Sequence, residues 1–217
     1  VSALILAPGM QIQAGEEFTD LGYGAHRDIV KNAEMQRLLE SPGPSGGYAS
    51  RPSNEEYPES VLLVLDDPSP FGLYIVASQA KQLLDQDIET VSVLVLSQPA
   101  SEEAAQQLTA KTGINVHWGA AFRVEPREGS VGVSFEDFTE KKYVKQDFDM
   151  IVLCVDVEPP DDLQTLAEAA GISVSESGYL EVSGANGAII ETSEPGILVA
   201  GCGSSPKNIR DSIAEAN

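Results

Sequence analysis

Three stretches of this chain are apolar without alternation: Ser60-Val-Leu-Leu-Val-Leu65, Val91-Ser-Val-Leu-Val-Leu96 and Asp149-Met-Ile-Val-Leu-Cys-Val155. A strand that is apolar on both faces must be covered on both, the condition of a central strand in a parallel sheet. After the first stretch, a turn at Asp66–Pro70 leads into a helical pattern over about 73–84. After the second, Ser101 opens a helix with Glu102 and Glu103 in its first turn, and Gly113 stops it. Ile114-Asn-Val-His-Trp118 reads as a third strand. The order β-α-β-α-β implies parallel pairing with right-handed crossovers.

The pattern then changes. Residues 121–125, 131–135 and 143–146 alternate and are separated by Pro-Arg-Glu-Gly and Phe-Thr-Glu-Lys, which predicts an antiparallel meander with one solvated face. The stretch 149–155 returns to the buried sheet. Glu158-Pro-Pro-Asp161 makes a stiff exit, followed by a helix over 163–170 and a hairpin-like region over 178–190. At the other end, Ser2-Ala-Leu-Ile-Leu-Ala7 is a short strand ended by Pro8-Gly9. A helix is expected near 29–39, although Ile29, Ala33, Met35, Leu38 and Leu39 only partly match one face. The Gly-, Pro-, Ser- and Asn-rich run from Ser41 to Pro58 reads as an ordered loop or a boundary between subdomains.

Charge and composition narrow the partners. The 217 residues carry 34 acidic and 13 basic side chains, a formal charge of −21. Nucleic acid is not expected, because phosphate contacts need Lys and Arg, and an anionic membrane surface is disfavoured for the same reason. No apolar run approaches the ~20 residues of a membrane span, and no basic region precedes the first strand as in a signal peptide. The chain starts without Met inside a strand pattern, so it is expected to be a piece of a longer protein. Two cysteines, Cys154 and Cys202, fit a reducing, cytoplasmic setting and cannot build a metal cluster. His26 and His117 are too few and too isolated for a metal site. The paired acids Asp66-Asp67 and Asp161-Asp162 sit beside prolines, where turn and cap roles explain them.

The last stretch, Thr192-Ser-Glu-Pro-Gly-Ile-Leu-Val-Ala-Gly201-Cys202-Gly203-Ser-Ser-Pro206-Lys207, is a strand running through a small-residue turn into a helix over 207–216. Such a turn lets backbone approach a ligand and aims helix N–H groups at an anion. It resembles the closing flavin-contact motif of flavoproteins with two dinucleotide domains. Leu4-Ile-Leu-Ala-Pro-Gly9 resembles the motif at which those chains leave the flavin domain. Leu21-Gly-Tyr-Gly, Glu34-Met-Gln-Arg-Leu-Leu, Gly43-Pro-Ser-Gly-Gly, Arg51-Pro-Ser and Ala200-Gly-Cys-Gly-Ser-Ser-Pro-Lys narrow the likeness. Together they resemble the A-subunit family of heterodisulfide reductase and its relatives in quinone-interacting membrane-associated complexes of sulfate reducers. The fold class this implies is α/β: a Rossmann-like parallel sheet with an antiparallel meander, a degenerate nicotinamide-domain-like unit, plus part of a flavin-binding domain.

The resemblance also implies FAD in the parent protein, other subunits of an iron–sulfur-rich electron-transfer complex as partners, and an anaerobic setting. Carried over residue by residue, Ala7, Pro8 and Gly9 would border the adenosine side of FAD. Gly201, Cys202 and Gly203 would lie near its ribityl–pyrophosphate region, and the helix start from Pro206 to Ile209 near the isoalloxazine. Cys202 stands where many flavoproteins have an Asp that accepts a ribityl hydroxyl bond, and a thiol is a weaker acceptor; the plain reading is a small buried residue of a tight turn. Lys207 is the candidate for direct chemistry, because a cation at the isoalloxazine edge would favour reduced, anionic flavin; the plain alternative is a solvated lysine in a first helical turn.

A working nicotinamide site is not expected. The Gly-x-Gly-x-x-Gly fingerprint that should follow Ser60–Leu65 reads Asp67-Pro68-Ser69-Pro70-Phe71-Gly72, with only the last Gly in place. Pro68 and Pro70 remove two N–H donors, and Ser97 and Gln98 stand where a ribose-binding acid belongs. Residues 60–100 hold no Cys, so composition excludes an iron–sulfur cluster there. The sequence thus predicts flavin-domain segments at 1–55 and 156–217 around a middle unit at 56–155, with weak or absent FAD binding by the chain alone and a homodimer as one way to cover an exposed sheet edge. The rival reading is a docking module within such a complex.

Overall fold

A computed structural model describes residues 3–12, 18–66, 69–99, 114–155, 157–183 and 190–216. Along the chain the elements are β1 (Leu4–Leu6), β2 (Gln11–Ile12), β3 (Ile29–Lys31), α1 (Asn32–Leu39), β4 (Ser60–Leu65), α2 (Pro70–Leu84) and β5 (Thr90–Val95). They continue with β6 (Asn115–Arg127), β7 (Ser130–Asp137), β8 (Lys142–Phe148), β9 (Met150–Cys154), β10 (Val157–Glu158), α3 (Leu163–Ala170), β11 (Ile197–Val199) and α4 (Ile209–Ala216).

The larger of two compact units, Ala14–Asp156, is built on a seven-stranded sheet of order β3-β9-β4-β5-β6-β7-β8. Pairing from β3 to β6 is parallel, and β6-β7-β8 is antiparallel. Strand β4 shows why its sequence lacks alternation. Val61, Leu63 and Leu65 pack into one layer with Val76, Ala80 and Leu83 of α2. Leu62 and Val64 pack into the opposite layer with Val131, Val133 and Phe135 of β7, Phe148 and Phe18. Helices cover one face and the meander covers the other, so every second residue of β7 is drawn into the core.

Two expectations are corrected here. Ile29–Lys31 is not the first turn of a helix; it is β3, paired with Ile151–Leu153 of β9. Two adjacent β-branched side chains, Ile29 and Val30, are both buried, as suits a strand. Lys31 is extended (φ −82°, ψ 156°), and its N–H donates to Glu34 Oε2 at 2.8 Å, which starts α1 at Asn32. The segments 114–118 and 121–125 are one 13-residue strand, β6, with a register irregularity between Ala120 and Arg123 where Ala121 has φ 55°. The helix expected from Ser101 and the residues Asp67 and Pro68 lie outside the described residues.

The smaller unit joins Val1–Gln13 to Val157–Asn217. In it β1 pairs in parallel with β11, and β2 pairs antiparallel with β10. Its core is Leu6, Leu163, Ala167, Ile172, Leu180 and Val199. The units divide at 13/14 and 156/157, so residues 18–55, grouped with the chain ends by sequence, fall with the large sheet that β3 joins.

Candidate functional site

The two motifs at opposite ends of the chain meet. Strand β1 lies beside β11 in the register Leu4↔Ile197, Ile5↔Leu198, Leu6↔Val199. Because the pairing is parallel, Ala7-Pro8-Gly9 and Ala200-Gly201 leave the same edge side by side, tied by Ala200 N–H donating to Leu6 O at 2.8 Å. Ligands in open α/β sheets bind outside the carboxyl ends of the strands. Gly9 (φ +80°) and Gly201 (φ +61°) have open space where a side chain would stand, so a ligand can lie against bare backbone there. Gly203 is the opposite case. A Cβ on it would sit 2.8 Å from Val199 Cγ1 and 2.9 Å from Pro8 Cδ, so the turn is locked against the Pro8 ring. Its carbonyl also accepts Leu180 N–H at 2.9 Å.

The remaining candidates are turned to structural use. The Cys202 thiol donates to the Lys207 carbonyl at 3.3 Å, across the turn that precedes α4. The Lys207 ammonium reaches Glu215 Oε1 at 2.6 Å and Ser204 Oγ at 3.0 Å, and its side chain is only 8% exposed. It is not the solvated lysine offered as the plain alternative: its charge is met by Glu215 of α4. Asn208 Oδ1 accepts Asp211 N–H at 2.9 Å and caps α4. Pro206 is half-buried, whereas Ile209 is 80% exposed at the helix start. The open backbone at Gly9 and Gly201 fits the close approach of a dinucleotide, whereas Lys207 already has a carboxylate partner.

In the larger unit the described part of the loop after β4 is used to start α2. Ser69 caps α2 by accepting Gly72 N–H at 2.9 Å, and Pro70 fills the first helical position. Two polar sites there were not singled out by sequence. The fully buried Asp28 accepts Arg51 Nη2–H at 2.8 Å, Arg51 Nε–H at 3.3 Å, Ser53 N–H at 2.9 Å and Ser53 Oγ–H at 2.7 Å. Burial alone would raise this carboxyl, but the bonds from Arg51 and Ser53 outweigh it and hold it below the usual carboxylate range. His117 Nδ1 lies 2.6 Å from Asp137 Oδ2, with Asn115 Nδ2 3.0 Å from its other ring nitrogen. Asp137 is likewise pulled down despite burial, by Glu140 N–H, His117 and Thr139 N–H. The Cys154 thiol is pushed strongly up by burial and is inert. Among the described residues, no group of three His, Cys, Asp or Glu side chains could hold a metal, and no helix is long and apolar enough to cross a membrane.

Comparison with known proteins is consistent with this geometry. A family model described as pyridine nucleotide-disulphide oxidoreductase matches residues 76–216. Among curated proteins, the whole chain is 26% identical to the A-subunit of the H(2):CoB-CoM heterodisulfide,ferredoxin reductase of Methanothermobacter marburgensis, covering 36% of that protein. It is 25% identical, over all of its length, to an iron-sulfur A-subunit of the CoB–CoM heterodisulfide reductase of Methanopyrus kandleri, again 36% of the relative. The chain thus spans about a third of these relatives. Among solved structures, T. acidophilum thioredoxin reductase superposes with a TM-score of 0.57 at 16% identity, covering 99% of this chain and 61% of that one, a likeness of fold.

Proposed function

This chain belongs to the pyridine nucleotide-disulphide oxidoreductase family, and from that premise we propose that it is part of an FAD-dependent electron-transfer subunit of heterodisulfide reductase type. Its role in the flavin site is to supply one wall. The observation that carries this reading is the parallel β1–β11 pair, which brings Ala7-Pro8-Gly9 and Gly201-Cys202-Gly203 to one edge with open backbone at Gly9 and Gly201. When bound, FAD supplies the redox chemistry, accepting and releasing electrons. The chain's residues hold it: Gly9 and Gly201 admit the cofactor to the backbone, and Gly203 packed on Pro8 fixes the two turns together. Lys207 and Cys202 brace the start of α4. Leu4 and Ile5 of β1 are 46% and 62% exposed beside a single strand neighbour among the described residues. We assign the glycine-rich half of the flavin cradle to the rest of the parent protein. The parent works in the cytoplasm with other subunits of its complex.

The test is the flavin-to-protein ratio, read from the absorbance of FAD at about 450 nm. The chain alone, incubated with FAD and desalted, should retain little or none. The parent protein should hold FAD, and Gly201→Val in that parent should lower its flavin content at least about tenfold, since a branched side chain would fill the space held open for the cofactor. Stoichiometric flavin in the isolated chain, or full flavin content in the Gly201→Val parent, would overturn the reading.

A further inference from the structure

Four of the short motifs noted in the sequence play no part in the β1–β11 junction, yet they converge in space. The stretches 21–24, 34–39, 43–47 and 51–53 surround a groove on the larger unit, made of two clefts of about 470 and 460 Å³. Tyr23, Arg27 and Arg37 line the first; Tyr48 and Tyr57 line the second; Leu38, Pro44 and Pro52 line both.

The groove is rigidly built. The Ser45 hydroxyl donates to Leu38 O at 2.8 Å at the end of α1. Gln86 holds the next turn from both sides, its Oε1 accepting Ala49 N–H at 2.9 Å and its Nε2 donating to Gly47 O at 2.8 Å. The buried Arg51–Asp28 pair fixes Arg51-Pro52-Ser53. On this anchored frame the aromatic surface is left open: Tyr48 is 64% exposed and Tyr57 44%. The charge is also unlike that of the rest of the chain. The lining carries Arg27, Arg37 and Arg51 against Glu34 and Glu55, in a protein where acids outnumber bases 34 to 13. Arg51 is consumed by Asp28, but Arg27 and Arg37 are exposed and no carboxylate pairs with either among the described residues. Tyr and Arg are the residues enriched where proteins bind proteins and where binding energy concentrates.

We propose that this groove docks an acidic segment of a partner protein. Its carboxylates meet Arg27 and Arg37, and its apolar side chains rest on Tyr23, Tyr48 and the two prolines. Two open clefts joined end to end suit an extended chain better than a compact ligand. Charge complementarity favours an acidic segment at this groove, and the two arginines set its register. This surface owes nothing to the flavin reading: it lies wholly in the larger unit and needs no cofactor.

The probe is a random dodecapeptide phage library panned on the full chain, with the charge-reversed double variant Arg27→Glu/Arg37→Glu as counter-target. Enriched peptides should be acidic with at least one aromatic or aliphatic residue. They should bind the double variant at least about tenfold more weakly, with an affinity that falls as salt rises. Circular dichroism and urea unfolding of the double variant should match the parent chain, since both side chains are exposed. No enrichment, enrichment of neutral or basic peptides, or binding that survives the double reversal would overturn the proposal. So would displacement of the peptides by inorganic pyrophosphate at constant ionic strength, which would mark a small-anion site instead. The panning uses no flavin, so its failure leaves the wall of the flavin site untouched.

Discussion

Replacing Asp28 with Asn should unfold the large sheet far more easily, and the size of the loss follows from what the carboxylate holds. Asp28 is fully buried and accepts four hydrogen bonds, two of them from the guanidinium of Arg51, whose side chain is 8% exposed. The amide keeps the shape but leaves a buried cation without its counter-charge; Asp149 Oδ1, 3.8 Å from Arg51 Nη1, is the nearest substitute. Breaking a buried pair in this way costs about 4 kcal/mol. With a urea dependence of about 2 kcal/mol per molar for a domain of this size, the midpoint should fall by about 2 M. Trp118 is the only tryptophan and is buried in β6 of the same unit, so its fluorescence reports this transition directly. The pH dependence has a fixed sign. The folded carboxyl sits below its ordinary value of about 3.9, so the stabilisation is complete above that value and is lost as pH falls through the folded value. The gap between parent and Asp28→Asn should therefore be constant from about pH 5 to 8 and narrow below about pH 4. Adding Arg51→Met should recover much of the loss, because an apolar side chain tolerates the site that an unpaired cation does not. A midpoint shift under about 0.5 M at pH 7, a gap that widens on acidification, or a double variant worse than the single one would refute the reasoning.

Gly203→Ala should cost about 1–3 kcal/mol, read as a lower melting temperature of the smaller unit, because the new methyl would meet a proline ring that cannot rotate away. Gly9→Ala has room, so only its positive φ opposes it, and its cost should stay near about 1 kcal/mol. With iodoacetamide at neutral pH, mass spectrometry of peptides should find Cys202, which is partly exposed, alkylated well before Cys154, whose thiol is buried and held strongly protonated; equal rates would contradict the packing of β9.

What was legible in the sequence was what rests on local pattern. Strand β4 was read to the residue and α3 likewise, because unbroken apolar runs and a Gly stop after Ala170 leave few alternatives. The meander was legible because its alternation reflects one face turned to the core. Strand β3 was missed because three residues carry too little periodicity, and only their partner β9, more than a hundred positions on, makes them a strand. The ion pair of Lys207 was not legible either. The sequence placed Glu215 in the same helical segment, but a spacing of eight residues does not by itself name an ion pair. The Asp28–Arg51 pair joins residues separated by a Gly- and Pro-rich loop that gives no signal of where it returns. The groove was visible only as scattered motifs, which the fold gathers.

The pairing of Leu4 with Ile197 also orders events in time. Nearly the whole chain must be made before β1 can find β11, whereas β3 to β9 close among themselves much earlier. Domains fold as units during synthesis, and contacts between distant residues come late because loop closure precedes their reward. A ribosome working on this chain therefore carries a finished larger sheet while the segment ending in Ala7-Pro8-Gly9 still waits, its apolar Leu4 and Ile5 without their partner strand. Within this chain the β1–β11 pair therefore forms after the larger sheet, and removal of residues 197–199 should spare that sheet while leaving β1 without its partner.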